Sequence, residues 1–540
     1  MSAPNTRTKN LQRALAVVMV ATMTLLSACG GDGAESPDGG GPADPNGAFT
    51  AALPLTVEHL IPGRTGATNL HYALWTPLTT VDPATGDLTN AVAESIESED
   101  ATNWTITLKD GWTFHNGDPV NAQSFADSWN TTAYGPNAFE NNSSFAQFEG
   151  YGDMNPEQGE PTATTLSGVR VTGPLSLEVS LTEPSAMFPY ILSNTTYAPI
   201  PKVALKDLAA FDKAPIGNGP FRLTGDGLAP GVQTVTIERY DDYAGELAKS
   251  KSVDVTFYKD TGGMYTAFKA GEIDVTFVAD TDVADAAQAY PDRFDPFMFP
   301  AVIYLGFPSW DERFEDPQIR QAFSLAIDRK AIVKSLLRDS GEAASSIASD
   351  AFEGGGGEEC QFCRYDPEEA QSLLEAAGGW QGGLTLWTSQ ADSANVLVLE
   401  AIANQLRTNL GITDVELETP PASELYPALG DEKVDGPFLL YAGATYPHLH
   451  AMASILFSPT GWANVTGYQG EEAGTLLADA AATTSDDLTS LTQEGTKAAL
   501  DDTPITPLYY PGGGLVWSTD VDNVTQEFLG GPHLAGITSR

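Results

Sequence analysis

The stretch from Asp87 to Asn130, DLTNAVAESIESEDATNWTITLKDGWTFHNGDPVNAQSFADSWN, constrains the fold of this chain more than any other. Trp104, Ile106 and Leu108 alternate with Thr105 and Thr107, the two-residue period of a half-buried strand. Lys109-Asp110-Gly111 reads as a turn, Trp112-Thr113-Phe114 as a second short strand, and Asn116-Gly117 as another tight turn. Asn121 is placed to cap a helix in which Phe125 and Trp129, four residues apart, share one face. The expectation is a strand-strand-helix unit with Trp104, Trp112 and Phe114 in its core, and no residue of it is a first choice for touching a ligand.

A chain of 540 residues can bury a large core, and its length favours two or three domains. There are 27 basic and 72 acidic residues, a formal net charge of −45, with no acid before Cys29. Such a surface repels nucleic acid and anionic lipid headgroups, so no nucleic-acid partner is expected. The chain has no G-x-S-x-G, H-E-x-x-H or P-loop pattern. No catalytic residue and no cofactor are assigned, and the chain is not read as an enzyme.

The N-terminus reads as an address. Arg7, Lys9 and Arg13 precede an apolar run, Ala14 to Leu26, that is short for a membrane span and fits the core of a signal peptide. Leu26-Ser27-Ala28-Cys29 resembles a bacterial lipoprotein cleavage box, which implies lipidation of Cys29. Gly30 to Gly47 is Gly-, Pro-, Asp- and Ser-rich and reads as a flexible tether. The expected location is the extracytoplasmic face of the cell membrane, at the cell surface or in the periplasm, on a lipid anchor.

The order of residues in the leading stretch resembles the signature of the peptide/nickel-type solute-binding proteins of ABC importers. Its parts read Ala93-Glu94-Ser95, then Ile106 to Val120 with Gly111, Phe114, Gly117 and Pro119, then Asn121 to Trp129. FKAGEIDV, around Gly271, and DPQIRQAFSLAIDRKAIV, from Asp316, match the same family. Pro504 to Tyr510 resembles its return crossing.

The resemblance implies an α/β, periplasmic-binding-protein-like two-lobe fold of type II with an extra inserted domain. The implied parts are a lipoprotein signal peptide at 1–28 and a tether at 29–50. Lobe I takes 51–93, 206–305 and 508–540, the inserted domain 94–205, and lobe II 306–507. It further implies a monomer that captures oligopeptides or dipeptides outside the membrane and delivers them to ABC permease subunits. A nickel chelate, haem or an oligosaccharide as ligand, or a signalling or adhesion lipoprotein without transport, are the alternative readings.

Two βαβ units are legible. One runs from the strand Val253 to Phe257 through a helix closed by Gly271 to Ile273–Phe277, and implies that its strands pair in parallel. The other runs from Leu384 to Leu417. Asp316-Pro317, Asp328 and Asp366-Pro367 read as helix starts. Pro215 to Phe221, where Asn218 replaces a Thr of the related proteins, lacks phosphate-loop spacing and reads as a structural turn before a strand.

Cys360 and Cys363 read as a disulfide, with a redox motif or half a zinc site as alternatives. His448 and His450 would share a face if they lay in a strand, but no third ligand is identifiable and no metal is assigned. Related peptide binders carry an Asp in the segment Tyr441 to Pro447 that pairs with the peptide's α-amino group, and Thr445 stands in its place here. Thr445, Tyr446, Trp462, Trp310 and Tyr304 are the candidate ligand-binding residues.

Overall fold

The computed structural model describes residues 42–540 except 55–58, 66–67, 83–84, 226, 229–231, 358–359, 392 and 486. The signal-peptide reading, Cys29 and residues 30–41 of the tether lie outside the described residues.

Two large sheets anchor the chain. The first has seven strands in the order Phe294–Met298, Gly512–Trp517, Val275–Val278, Ala48–Pro54, Ser252–Tyr258, Thr234–Arg239 and Phe221–Leu223. Ala48–Pro54 is central and pairs in parallel with Ser252–Tyr258 on one side and Val275–Val278 on the other. The two strands of the first βαβ unit are therefore parallel but not neighbours, because an N-terminal strand is inserted between them. That strand also corrects the tether boundary: Phe49 and Ala51 are buried, so packing of the first lobe begins at Ala48 rather than after residue 50.

The second sheet has six strands, Glu342–Ala343, Ile505–Tyr510, Ala301–Gly306, Phe438–Gly443, Leu384–Trp387 and Val415–Glu418. Alternate residues of Ala301–Gly306 serve opposite faces, as strand geometry requires. Val302 and Tyr304 enter one core with the helices Leu449–Phe457, Glu471–Ala482 and Asp487–Asp502. Ile303 and Leu305 enter another with Pro317–Leu325, Arg329–Leu336 and Ser393–Asn409. A sheet covered on both faces buries its central strands on both sides, and Ala301–Gly306 and Ile505–Tyr510 are accordingly buried at every residue.

These pairings shift two expected boundaries. Ala301–Gly306 and Ile505–Tyr510 pair with each other inside the second sheet, so the chain changes lobe before Ala301 and after Tyr510, not at residues 305 and 507. The two crossings lie side by side, with the Phe299 N–H donating to the Pro511 carbonyl at 2.8 Å.

A four-stranded antiparallel sheet, Ala93–Glu97, Asn103–Leu108, Ser176–Ser180 and Val169–Gly173, forms the inserted part. Its helix Ala122–Ala133 starts at Asn121, which makes a capping box with Ser124. Trp129 is fully buried and donates through Nε1 to the Tyr197 carbonyl at 2.9 Å. Trp112-Thr113-Phe114 is not a strand: only Thr113 makes a bridge, to Pro119, across the tight turn at Gly117. The inserted sheet does not have a core of its own. Trp104, Phe125 and Trp129 belong to the same buried cluster as Phe49, Leu53, Val253 and Phe257 of the seven-stranded sheet.

Candidate ligand-binding site

A cavity of about 440 Å³ opens where the seven-stranded lobe, the inserted part and one residue of the second lobe meet. Small-ligand sites commonly enclose roughly 300–1,000 Å³.

Its first wall grows from the helix Asn69–Leu74, which Thr68 caps by accepting from the His71 N–H. Trp75 ends the helix and donates through Nε1 to the Leu60 carbonyl at 2.9 Å. The next residue is held by the loop before Phe221. Asn218, with no exposed surface, accepts from the Thr76 N–H at 3.0 Å through Oδ1 and donates to the Thr76 carbonyl at 2.8 Å through Nδ2. The amide thereby supplies both halves of a strand-like pairing to one residue. Glycine is required on either side, because a Cβ at Gly217 or Gly219 would lie 2.0 or 2.4 Å from Leu74 backbone atoms. The turn reading of this loop thus has a specific cause, the close approach of two backbones.

The second wall belongs to the inserted part and its approach: Thr80 and Val81, Thr89 to Ala91, Lys109 and Trp112. Lys109 Nζ donates to the Asn90 and Ala91 carbonyls at 2.7 and 3.0 Å. Trp112 stands edge-on to Tyr243, with ring centroids 5.3 Å apart, and the Tyr243 hydroxyl bonds Thr76 Oγ1 at 2.9 Å. The leading stretch therefore borders the cavity through Thr89 to Ala91, Lys109 and Trp112, while Trp104, Trp112 and Phe114 are buried in the core as expected.

The third wall is the tail segment 525–533, a tight double-back loop. Glu527 N–H donates to the Gly531 carbonyl at 2.9 Å and His533 N–H to the Thr525 carbonyl at 2.8 Å. Gly530 and Gly531 take φ of 90° and 79°, the left-handed region that glycine enters without strain. Asn69 Nδ2 ties the loop to the first wall by donating to the Gly530 and Pro532 carbonyls at 3.1 and 3.2 Å. Phe528 reaches the second lobe and meets Phe352 at 5.8 Å.

Charge in the cavity is dominated by carboxylates: Asp82, Glu246 and Glu527 face Lys109 and His533. His533 Nδ1 lies 2.5 Å from Glu527 Oε1. Burial alone would lower the His533 pKa, but the Glu527 carboxylate, aided by Asp82 and Glu246, overrides it and raises it above 6.5.

The chain from 87 to 464 matches the profile of the bacterial extracellular solute-binding proteins, family 5 Middle. The chain belongs to this family. Among its relatives, the dipeptide-binding protein DppE of Bacillus subtilis is 26% identical over 446 residues, covering 76% of this chain and 77% of that one. The dipeptide-binding protein of Lactococcus lactis is 27% identical over 353 residues, covering 61% of this chain, and the match spans 63% of that protein's length. The Escherichia coli murein tripeptide binding protein MppA superposes with a TM-score of 0.72 at 18% identity, over 92% of this chain and 99% of that one. An unliganded open form of MppA gives 0.78 over 93% and 98%. The α/β two-lobe, type II binding-protein fold is thereby established.

Of the five candidate residues, this family-5 protein brings only Thr445 to the cavity, where it is the contribution of the second lobe. Tyr304 is 1% exposed in the second-lobe core and donates to the Ala463 carbonyl at 3.4 Å. Trp310 packs on the same core and donates through Nε1 to the Val434 carbonyl at 2.8 Å. Tyr446 is buried, its ring 5.8 Å from that of Tyr190. Trp462 is 63% exposed and does not line the cavity. Strand alternation takes Tyr304 into the second-lobe core, whereas Trp310, Tyr446 and Trp462 lie in turns or bends outside its strands and helices.

His448 and His450 do not share a strand face. His448 caps the helix Leu449–Phe457, its Nδ1 accepting from the His450 N–H at 3.0 Å, and burial pushes both pKa values down to about 4. Among the described residues no group of three or more His, Cys, Asp or Glu could hold a metal ion. Cys360 and Cys363 are joined by a disulfide in the second lobe, away from the cavity walls. No helix among the described residues is long and apolar enough to cross a membrane.

Tyr72, Trp75, Trp112, Tyr243, Glu527 and His533 are cavity residues that the sequence did not single out as ligand contacts. The turn signal Gly530-Gly531-Pro532 ahead of His533 was the one local hint.

Proposed function

We propose that this chain is the solute-binding component of an ABC importer, which captures short peptides outside the membrane and hands them to the permease subunits. The observation that carries the reading is the cavity itself. It is lined by the first lobe and the inserted part, and among the described residues its one contribution from the second lobe is Thr445. A ligand seated there would be enclosed by movement of the second lobe about the paired crossings at Phe299 and Pro511. Aromatic walls and backbone groups suit an amide-rich ligand whose side chains vary. The relatives named as dipeptide- and murein-tripeptide-binding proteins support the same solute class.

On this reading the protein acts as a monomer, binds and releases its ligand unchanged, and leaves ATP hydrolysis to another subunit. Lipidation at Cys29 would keep it at the extracytoplasmic face of the membrane. Mass spectrometry of ligand co-purified with natively expressed protein, with labelled-peptide uptake in a deletion strain, tests it. Peptides in the first measurement and reduced uptake in the second are expected. A non-peptide ligand together with unchanged peptide uptake would overturn the proposal.

A further inference from the structure

A second, smaller chamber of about 210 Å³ adjoins the main cavity. The two share four lining residues, Asn69, Tyr72, Glu527 and Leu529. Beyond that shared collar the chamber is largely apolar, with Leu53, Pro54, Phe277 and Phe299 as its walls and the backbone of Gly530 and Gly531 closing it. No side chain can fill it from the glycine side: a Cβ on Gly531 would lie 2.4 Å from Asn69 Oδ1, and one on Gly530 2.8 Å from Phe299.

The collar carries two polar groups with capacity to spare. Glu527 uses Oε1 for His533, and its Oε2 has no hydrogen-bond partner among the described residues. Its side chain is 15% exposed. Tyr72 lines both chambers, and its hydroxyl likewise has no partner among the described residues. Around the collar the main cavity holds three carboxylates against Lys109 and His533, so it is short of positive charge whether or not His533 is protonated. An ion pair at Glu527 would form where surrounding protein limits access of water, which strengthens it.

We infer that the collar is the specificity element of the site: Glu527, with Tyr72 beside it, receives a ligand ammonium group, and the adjoining chamber receives an apolar side chain attached to the same end of the ligand. The inference rests on the peptide reading above, and within that reading it selects peptides with a free amino terminus and an aliphatic or small aromatic first residue. Leu529 is a wall common to both spaces.

Calorimetric titration of the full chain, freed of bound ligand, with Ala-Ala-Ala, Leu-Ala-Ala and N-acetyl-Leu-Ala-Ala tests this. Three extra buried carbons should make Leu-Ala-Ala bind roughly ten- to fiftyfold more tightly than Ala-Ala-Ala. Acetylation should weaken binding roughly ten- to hundredfold. Leu529→Trp should reduce the ratio of Leu-Ala-Ala to Ala-Ala-Ala affinity to about one, whatever its effect on the two affinities together, and Glu527→Gln should abolish the difference between free and acetylated peptides. Thermal unfolding of each variant separates these effects from loss of fold. Equal binding of Leu-Ala-Ala and Ala-Ala-Ala, or indifference to acetylation, overturns the inference and leaves the peptide reading standing. Failure of all three peptides to bind overturns that reading, and the inference with it.

Discussion

Glu527 Oε1 and His533 Nδ1 stand 2.5 Å apart across the tail loop, so the loop is cross-braced by a charge-assisted contact at the edge of the cavity. The folded protein raises the His533 pKa above the ordinary 6.5. The contact therefore stabilises fully below about pH 6.5, where the histidine is protonated folded or unfolded, and its contribution is lost as pH rises through the raised value. Melting temperatures of wild type and His533→Gln, compared from pH 5 to 9, should differ most at the acid end and converge at the alkaline end. A gap that widens toward pH 9 would contradict this.

Asn218 is a second point of control. Replacing it by Ala leaves the N–H and carbonyl of Thr76 buried without partners, at a cost of about 2–4 kcal/mol. Urea unfolding should show that loss. Because Thr76 lines the cavity, affinity for the co-purifying ligand should fall as well.

Arg329 holds the second lobe without a carboxylate partner in hydrogen-bond contact among the described residues. Its guanidinium, 4% exposed and with its pKa pushed down to about 9 by burial, donates to the Pro507 carbonyl at 2.7 Å, to the Ser324 and Ile327 carbonyls, and to Ser324 Oγ at 2.8 Å. Arg329→Met should destabilise by about 3 kcal/mol or more, since those carbonyls are left unpaired. Arg329→Lys should recover less than half, because a single ammonium cannot reproduce the planar fork. Chemical denaturation of the three proteins checks the order.

The histidine pair should be indifferent to nickel. His448 Nδ1 is engaged as a helix cap, and both rings are neutral in place. Added nickel chloride should leave the melting temperature of wild type unchanged, whereas His448→Ala should lower stability by about 1 kcal/mol with or without the metal. Nickel-dependent stabilisation that disappears in the variant would restore the metal reading.

Helix starts were the most legible features. Asn121, Asp316, Asp328 and Asp366 each accept from a backbone N–H two or three residues on, an interaction complete within one turn of chain. The family resemblance likewise rests on contiguous residues. The cavity was not legible because Tyr72 and Glu527, which share its collar, are brought together only by tertiary packing. Aromatics near Thr445 were reasonable candidates, but whether a ring faces a cleft or a core depends on which sheet its strand joins. Ala301–Gly306 joins the second one, which takes Tyr304 inward. The start of the first lobe was missed for a local reason: Pro45 and Gly47 continue the tether composition up to the residue where the strand begins.

The buried cluster that runs without a break from Phe49 and Val253 to Trp104 and Trp129 has a consequence for how the molecule comes apart. Counted along the chain, the segment around Trp104 looks like an addition that could be cut out. Counted in apolar surface, it is half of someone else's interior: removing it would strip the seven-stranded sheet of the side chains that keep water from its inner face. Heat should therefore melt the first lobe and the insertion together as one cooperative block. The second lobe rests on two further clusters, one of which also includes Met187 of the inserted part, and forms the other block.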